Sequence, residues 1–276
     1  MLTSVILSTY NQPKWLKFTL LAYSNQTDLD FEIVVADDGS TEETRVLIDE
    51  FKSSTSLNLK HIWHPDNGFQ KCRILNRAIE SADGEYLIFS DGDCIPREDF
   101  VKVHKEHSQE GFFLSGGYFK LPHDTSNRIT DESISSGECF QTKWLKANGV
   151  PNTTKLLKLT RSKLLASILN SVTPTKRTWN GHNASCWKSD ALKVNGFDQR
   201  MKYGGEDVEF GYRLVNSGLV AKQIRYLAPC LHLDHPRGYV NKEDLSTNLA
   251  IRKSTLNDRM KFTNYGIING DNLEAP

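Results

Sequence analysis

The sequence predicts an α/β fold, a mostly parallel sheet flanked by helices with a smaller mixed region after it. Three observations predict it. Short apolar runs alternate with helix-length segments through the first hundred residues. Polar, acidic clusters stand at the carboxyl ends of three of those runs. The chain of 276 residues is long enough for one such domain with a real core.

The first strand is Val5 to Leu7, followed by the turn Thr9-Tyr10-Asn11-Gln12 and a helix that Pro13 opens and that runs to about Asn25. Residues 31–36 form the second strand, stopping at Asp37-Asp38-Gly39-Ser40-Thr41, where Ser40 and Glu43 have capping-box spacing for the next helix. Leu59 to Trp63 is the third strand, then a Gly68 turn and a helix over about Lys71 to Ala82. Glu85 to Phe89 is the fourth, ending in Ser90-Asp91-Gly92-Asp93. In parallel sheets with right-handed crossovers, ligands bind outside the carboxyl ends of the strands. Ser8 to Asn11, Asp37-Asp38 and Asp91 to Asp93 stand at three such ends, so this half is the ligand-binding half.

The later residues are less regular. Phe112 to Phe119 is expected as a strand, Asp124 to Ser136 as a polar loop, Glu206 to Ser217 as a helix and Lys222 to Leu227 as a strand. The tail from Asn241 is polar and helical to about Asp258. Residues 1–110 and 111–240 are read as two halves of one domain, with 241–276 as a helical tail. No acidic residue occurs between Glu138 and Asp190, while lysines and arginines accumulate there, Lys176 and Arg177 among them. Within it Leu156, Leu157, Leu159, Leu164, Leu165, Ile168 and Leu169 fit one helical face. Residues 155–169 therefore read either as a core helix with solvated lysines or as a peripheral contact with an anionic membrane.

Composition narrows the partners. The 34 basic and 34 acidic residues balance, which argues against a nucleic-acid partner. Five scattered cysteines without a CxxC pair read as reduced thiols of a cytoplasmic protein. The N-terminus has no positively charged leader with an apolar run behind it, and nothing approaches the roughly 18 to 20 apolar residues of a spanning helix. A soluble chain, at most peripheral at the inner face of a membrane, is expected.

Four clusters carry chemistry. Asp91-Gly92-Asp93 offers two carboxylates at a strand end with a glycine between them, suited to a hard divalent ion holding a diphosphate; a solvated turn is the alternative. Asp37-Asp38-Gly39-Ser40 is either a turn with a helix cap or a carboxylate facing a uracil N3–H, with Tyr10 available to stack on the base. Gly204-Gly205-Glu206-Asp207 either caps a helix or places a general base. His232 and His235, beside Asp234, follow the last expected strand and are candidates for a further metal ligand. The paired aspartates also resemble those of haloacid-dehalogenase-type phosphatases, but that chemistry places its nucleophile after the first strand. A non-catalytic nucleotide-sugar-binding module is the alternative outside enzymes.

Taken together, these motifs resemble the inverting glycosyltransferases of family 2, which have the GT-A fold with its Rossmann-like sheet. The resemblance rests on Val5 to Asn11, Val34 to Ser40 and Asp91-Gly92-Asp93, in the family's order and spacing. The segments Asp66 to Arg73 and Tyr203 to Leu214 are closer still to bacterial chondroitin-polymerase-type domains, and to the carboxyl-terminal part of animal β-1,4-galactosyltransferases. It implies a UDP-sugar donor held by residues 1–110, a glycan acceptor (lipid-linked where the basic stretch meets a membrane) held by 111–240, and a Mn²⁺ or Mg²⁺ cofactor. By position it implies Ser8, Tyr10 and Asp38 on the uridine, Arg73 near the donor pocket, and Asp91 approaching ribose and metal. It also implies Asp93 and His232 as metal ligands, Asp207 as catalytic base and Glu206 as a sugar contact. Tyr203 stands where relatives often have tryptophan, and Trp179-Asn180-Gly181-His182-Asn183 where they often have Gly-Gly-Asn, which makes Asn183 an acceptor-side candidate.

Overall fold

The computed structural model describes residues 1–174, 178–235 and 241–269. Lys176, Arg177, Pro236 and the last seven residues of the tail, each part of a reading above, lie outside the described residues.

The alternation of the first hundred residues is realised as β1 (Thr3–Thr9), α1 (Pro13–Ser24), β2 (Glu32–Asp37), α2 (Glu42–Ser54), β3 (Asn58–Trp63), α3 (Lys71–Ser81) and β4 (Tyr86–Asp91). Next come β5 (Cys94–Pro96), α4 (Phe100–His107), β6 (Phe112–Ser115), β7 (Gly117–Lys120), α5 (His123–Asn127), α6 (Asp131–Ser135) and α7 (Thr142–Ala147). The remainder is α8 (Lys163–Val172), β8 (Asn183–Trp187), α9 (Lys188–Lys193), α10 (Glu206–Asn216), β9 (Val220–Gln223), β10 (Pro229–His232) and α11 (Lys242–Asn257). A seven-stranded sheet runs in the order β3-β2-β1-β4-β8-β6-β9, beside a three-stranded sheet β5-β10-β7. β1 is parallel to both β2 and β4, and only β8 runs against its neighbours in the large sheet.

Near-continuous apolar strands suit a sheet covered on both faces. Successive residues of β1 and β2 alternate between two cores: Ile6, Val34 and Ala36 pack on one face with α3 and α10, while Val5, Leu7, Ile33 and Val35 pack on the other with α1. A third cluster joins α1 to α6, α7 and the small sheet through Trp15, Phe18, Ile134 and Leu145. All five cysteines are buried and unbridged.

Five expectations need correction. Ser40 and Glu43 form no capping box: Thr41 is the cap position of α2, and Ser40 Oγ instead accepts a hydrogen bond from the Asn11 N–H (2.8 Å), tying the β1 and β2 turns together. Residues 112–119 are not one strand. At Gly116 the chain passes between sheets so close to Asn183 that a Cβ would lie 2.0 Å from its Oδ1. The loop at 124–136 contains α5 and α6, the latter closed by a capping box between Thr130 and Ser133. The leucines of 156–169 do not share one helix: a 3₁₀ turn over Thr154–Leu159 and α8 are separated at Thr160, Arg161 and Ser162. The late strand is also displaced, β9 ending at Gln223.

Candidate active site

The strand register sets the site. Ser8 pairs with Asp91 and Thr9 with Asp37, so the ends of β1, β2 and β4 finish level. A cavity of about 690 Å³ opens there, lined by Ser8 to Gln12, Asp38 and Asp91 to Asp93 from these ends. Lys71, Tyr118, His182, Tyr203 to Asp207, His232 and His235 complete it from the rest of the chain.

The two aspartates after β2 divide their work. Asp37 is consumed by the turn, accepting from the Ser40 N–H (2.8 Å) and meeting His61 (2.9 Å). Asp38 reaches the cavity while His64 (2.8 Å) and the Gln70 N–H (3.0 Å) fix its two oxygens. Burial pushes the Asp38 carboxyl upward against the pull of those hydrogen bonds. Gly39 allows this turn: its φ is +93°, and a Cβ would lie 2.6 Å from the Asp66 Cα. Tyr10 is half exposed at the mouth, its hydroxyl donating to Asp66 (2.9 Å), which raises the phenol's pKa.

Asp91 and Asp93 are committed to different partners. Asp91 Oδ1 accepts from Ser8 Oγ (2.6 Å) and Lys71 Nζ (2.7 Å). Burial works against its charge, but the Lys71 ammonium and the Ser8 hydroxyl outweigh it and hold the carboxyl far below the usual range. Asp93 instead faces histidines: His235 Nε2 lies 2.7 Å and His232 Nε2 3.6 Å from its Oδ2. Asp93, Cys94 and His232 each place one donor atom within 4.8 Å of the others. His232 Nδ1 lies 2.8 Å from the Leu233 carbonyl, which can only accept. The proton is therefore on Nδ1, and in the neutral ring Nε2 carries a lone pair on the side of Asp93, the tautomer of a metal-ligating histidine. Asp234 turns away, to Lys120 (2.8 Å).

Glu206 and Asp207 open α10. Gly204 and Gly205 take φ of +113° and +92° before it. Asp207 accepts from the N–H groups of Val208 (2.7 Å) and Gly181 (3.2 Å), and Glu206 from that of Gly204 (2.9 Å). Burial raises both carboxyls, and the Asp207 charge raises Glu206 further. A buried carboxylate of raised pKa at a cavity wall suits a proton acceptor. The helix itself is pinned from behind by the fully buried pair Glu209–Arg213 (2.8 Å). α11 holds the approach to it: the buried Asn248 amide donates to the carbonyls of Lys202 (2.8 Å), Tyr203 (3.2 Å) and Gly204 (3.2 Å).

The structure thus brings Ser8, Tyr10, Asp38, Asp91, Asp93, Glu206, Asp207 and His232 to one cavity, with His235 beside them. Arg73 is on α3 but does not line it; Lys71, two residues earlier and on another side of the helix, does. Asn183 is no acceptor-side residue. It is fully buried, donating to the carbonyls of Gly117 (2.9 Å) and Ala228 (2.7 Å), and its neighbour His182 lines the cavity instead. Burial lowers the His182 pKa to about 4, and its Nε2 has no hydrogen-bond partner. The sequence does not single out Lys71 and His182, because only the packing of α3 and of the segment entering β8 sets which side chain turns inward.

The charge of this cavity has a chemical consequence. Among the described residues five carboxylates line it, from Asp38, Asp91, Asp93, Glu206 and Asp207, against one lysine and no arginine. An anionic ligand entering such a wall needs a cation, and the carboxylate and imidazole donors around Asp93 fit a divalent metal, whereas burial keeps the Cys94 thiol protonated.

The chain matches the family model for glycosyl transferase family 2 over residues 4–167, and that for the N-terminal domain of galactosyltransferase over 172–236. It is 27% identical over 270 residues to the chondroitin synthase of Escherichia coli, covering 94% of this chain and 38% of that protein. The chain thus spans well under half of that relative's length. Among solved structures, Staphylococcus aureus TarS (residues 1–349) in complex with UDP-GlcNAc aligns with a TM-score of 0.62 at 18% identity, over 91% of this chain and 65% of that one. The mannosyltransferase PcManGT of Pyrobaculum calidifontis, in complex with GDP-Man and Mn²⁺, aligns with a TM-score of 0.59 at 18% identity, over 94% and 62%. With the family model covering well over half of its residues, the chain belongs to glycosyl transferase family 2 and is a glycosyltransferase of the GT-A fold.

Proposed function

We propose that the chain moves a hexose or N-acetylhexosamine from a UDP-sugar onto a hydroxyl of a growing glycan, inverting the anomeric centre. One observation carries the reading: Asp93 with His232, and Asp207 at the start of α10, line the same cavity although more than a hundred residues separate Asp93 from Asp207. In this reading residues 1–110 hold the donor, with Asp38 toward the uracil and Tyr10 against its ring, and 111–240 hold the acceptor. TarS, which shares the fold, was solved with a UDP-sugar, but PcManGT was solved with a GDP-sugar, so the nucleotide rests on Asp38 and Tyr10.

Asp93 and His232 would hold Mn²⁺ or Mg²⁺, which when bound offsets charge on the diphosphate. The chain's own groups do the rest. Lys71 and Ser8 lock Asp91 ionised at the β4 end. Asp207 takes the proton from the acceptor hydroxyl as its oxygen bonds to the anomeric carbon and the bond to the diphosphate breaks. A single displacement converts an α-linked donor into a β-linked product. Glu206, beside the base, contacts a sugar.

A thermal-shift panel of nucleotide sugars, run with Mn²⁺ and with EDTA, tests the donor. A UDP-sugar should raise Tm by mass action when the metal is present and lose that effect under EDTA. Coupled UDP release then separates a transferase from a module that only binds. Stabilisation by GDP-sugars alone, or equal stabilisation under EDTA, contradicts the reading.

A further inference from the structure

Helix α8 is turned inside out. Its buried side chains are Ala166 and Asn170, the latter accepting the Tyr226 N–H (3.1 Å). Its large apolar residues face outward: Leu164 is 74% exposed, Ile168 49% and Val172 66%, spaced four apart so that they form one stripe. Leu165 is exposed beside them, and Leu157 from the preceding 3₁₀ turn. A surface helix of a globular domain presents the reverse pattern, and a stripe of this kind marks a contact surface.

Charge selects the occupant. Lys155, Arg161 and Lys163 are exposed around this segment, and no acid occurs in the 51 residues from 139 to 189. The acids that meet it come from elsewhere: the half-buried Glu98 pairs with the exposed Arg161, and Glu106 lies 3.9 Å from Lys163 Nζ on open surface, where such a pair holds weakly. An apolar stripe with a basic border complements an anionic bilayer, whose headgroups take the lysines while the leucines enter the acyl boundary. The segment also abuts the site: Lys158 Nζ donates to the Tyr118 carbonyl (2.9 Å), and Tyr118 lines the cavity.

We infer that residues 155–172 are a peripheral anchor on an anionic membrane surface, holding the cavity where a lipid-carried acceptor glycan is presented. The inference does not depend on the donor or on the base. It is tested by sedimenting the full chain with vesicles of phosphatidylcholine alone or with 30 mol% phosphatidylglycerol. Binding should be at least tenfold tighter to the anionic vesicles. The exposed triple variant Leu164→Ser, Ile168→Ser, Val172→Ser should lose at least tenfold of it. The separate variant Lys155→Gln, Lys163→Gln should lose about fivefold per lysine. Neither variant touches the cavity, so nucleotide-sugar stabilisation with Mn²⁺ should stay unchanged and reports that both are folded. Equal recovery with both vesicles, or unchanged binding by both variants, overturns the inference. So does a wild-type dimer that the triple variant converts to a monomer while vesicle binding stays absent, which would make the stripe a self-association surface.

Discussion

Glu206 is buried and Asp207 beside it half-buried, and the physical cost of placing them there is legible in their protonation. Burial raises both above the ordinary carboxylate range, and the charge of Asp207 adds to the rise at Glu206. A folded-state pKa above the unfolded value means stability fully present below the unfolded pKa, about 4, and lost as pH rises through the folded pKa. At neutral pH the pair therefore destabilises the fold, as expected of a functional site. Asp207→Asn should raise Tm at pH 7 by roughly 1–4 °C, with the gain shrinking toward pH 4. Calorimetry across that range checks it; a gain that grows on acidification is the wrong sign. At this scale the sequence was informative where chemistry and position coincide: an acid at the end of an apolar run has few other reasons to be there. It was uninformative where a role depends on the partner. Asp37 and Asp38 are alike in the sequence, and only the positions of Ser40, His61 and His64 assign one to the turn and one to the cavity. Lys71 likewise becomes a site residue only because α3 aims it at Asp91.

At the scale of elements, period and turn chemistry predicted β1 to β4 and their helices closely, because a strand buried on both faces and a helix with one apolar face leave different patterns. The misreadings have local causes. The run over 112–119 is interrupted by Ser115-Gly116-Gly117, and there, where Gly116 approaches Asn183 closely, the chain changes sheet. The leucines of 156–169 suggest one face in the sequence because the break at Thr160 to Ser162 contains neither glycine nor proline. The polar tail looks like an appendage in the sequence, whereas α11 holds the turn that leads into α10. A Cβ on Gly205 would lie 2.7 Å from Arg252 Nη1, and the Asn248 amide is shared among three carbonyls leading into α10. Replacing Asn248 with alanine leaves those part-buried carbonyls without this donor. Asn248→Ala should destabilise the chain by about 1–3 kcal/mol and lower kcat through a misplaced Asp207, with a much smaller change in UDP affinity. Denaturant melts with steady-state kinetics check this; loss of UDP affinity at unchanged kcat would contradict it.

Seen whole, the molecule has no net charge, yet its cavity concentrates acids, and that contrast defines what it does. The sheet brings residues from positions 8, 38, 91, 93, 207 and 232 to one place, an arrangement that composition alone does not reveal. Lys71 among the carboxylates keeps Asp91 ionised, while His232 and His235 stand at Asp93, and Asp207 waits on the wall built by the later half. Among the described residues no helix is long and apolar enough to cross a membrane. The central claim is that donor binding and proton removal are separate tasks of separate walls. Its most direct measurement is Asp207→Asn with UDP affinity in Mn²⁺ and sugar transfer measured on the same preparation. Transfer should fall by about 10²–10⁴-fold, as loss of a general base requires, while UDP affinity stays within about twofold. Transfer near the wild-type rate, or a parallel loss of both, would contradict it.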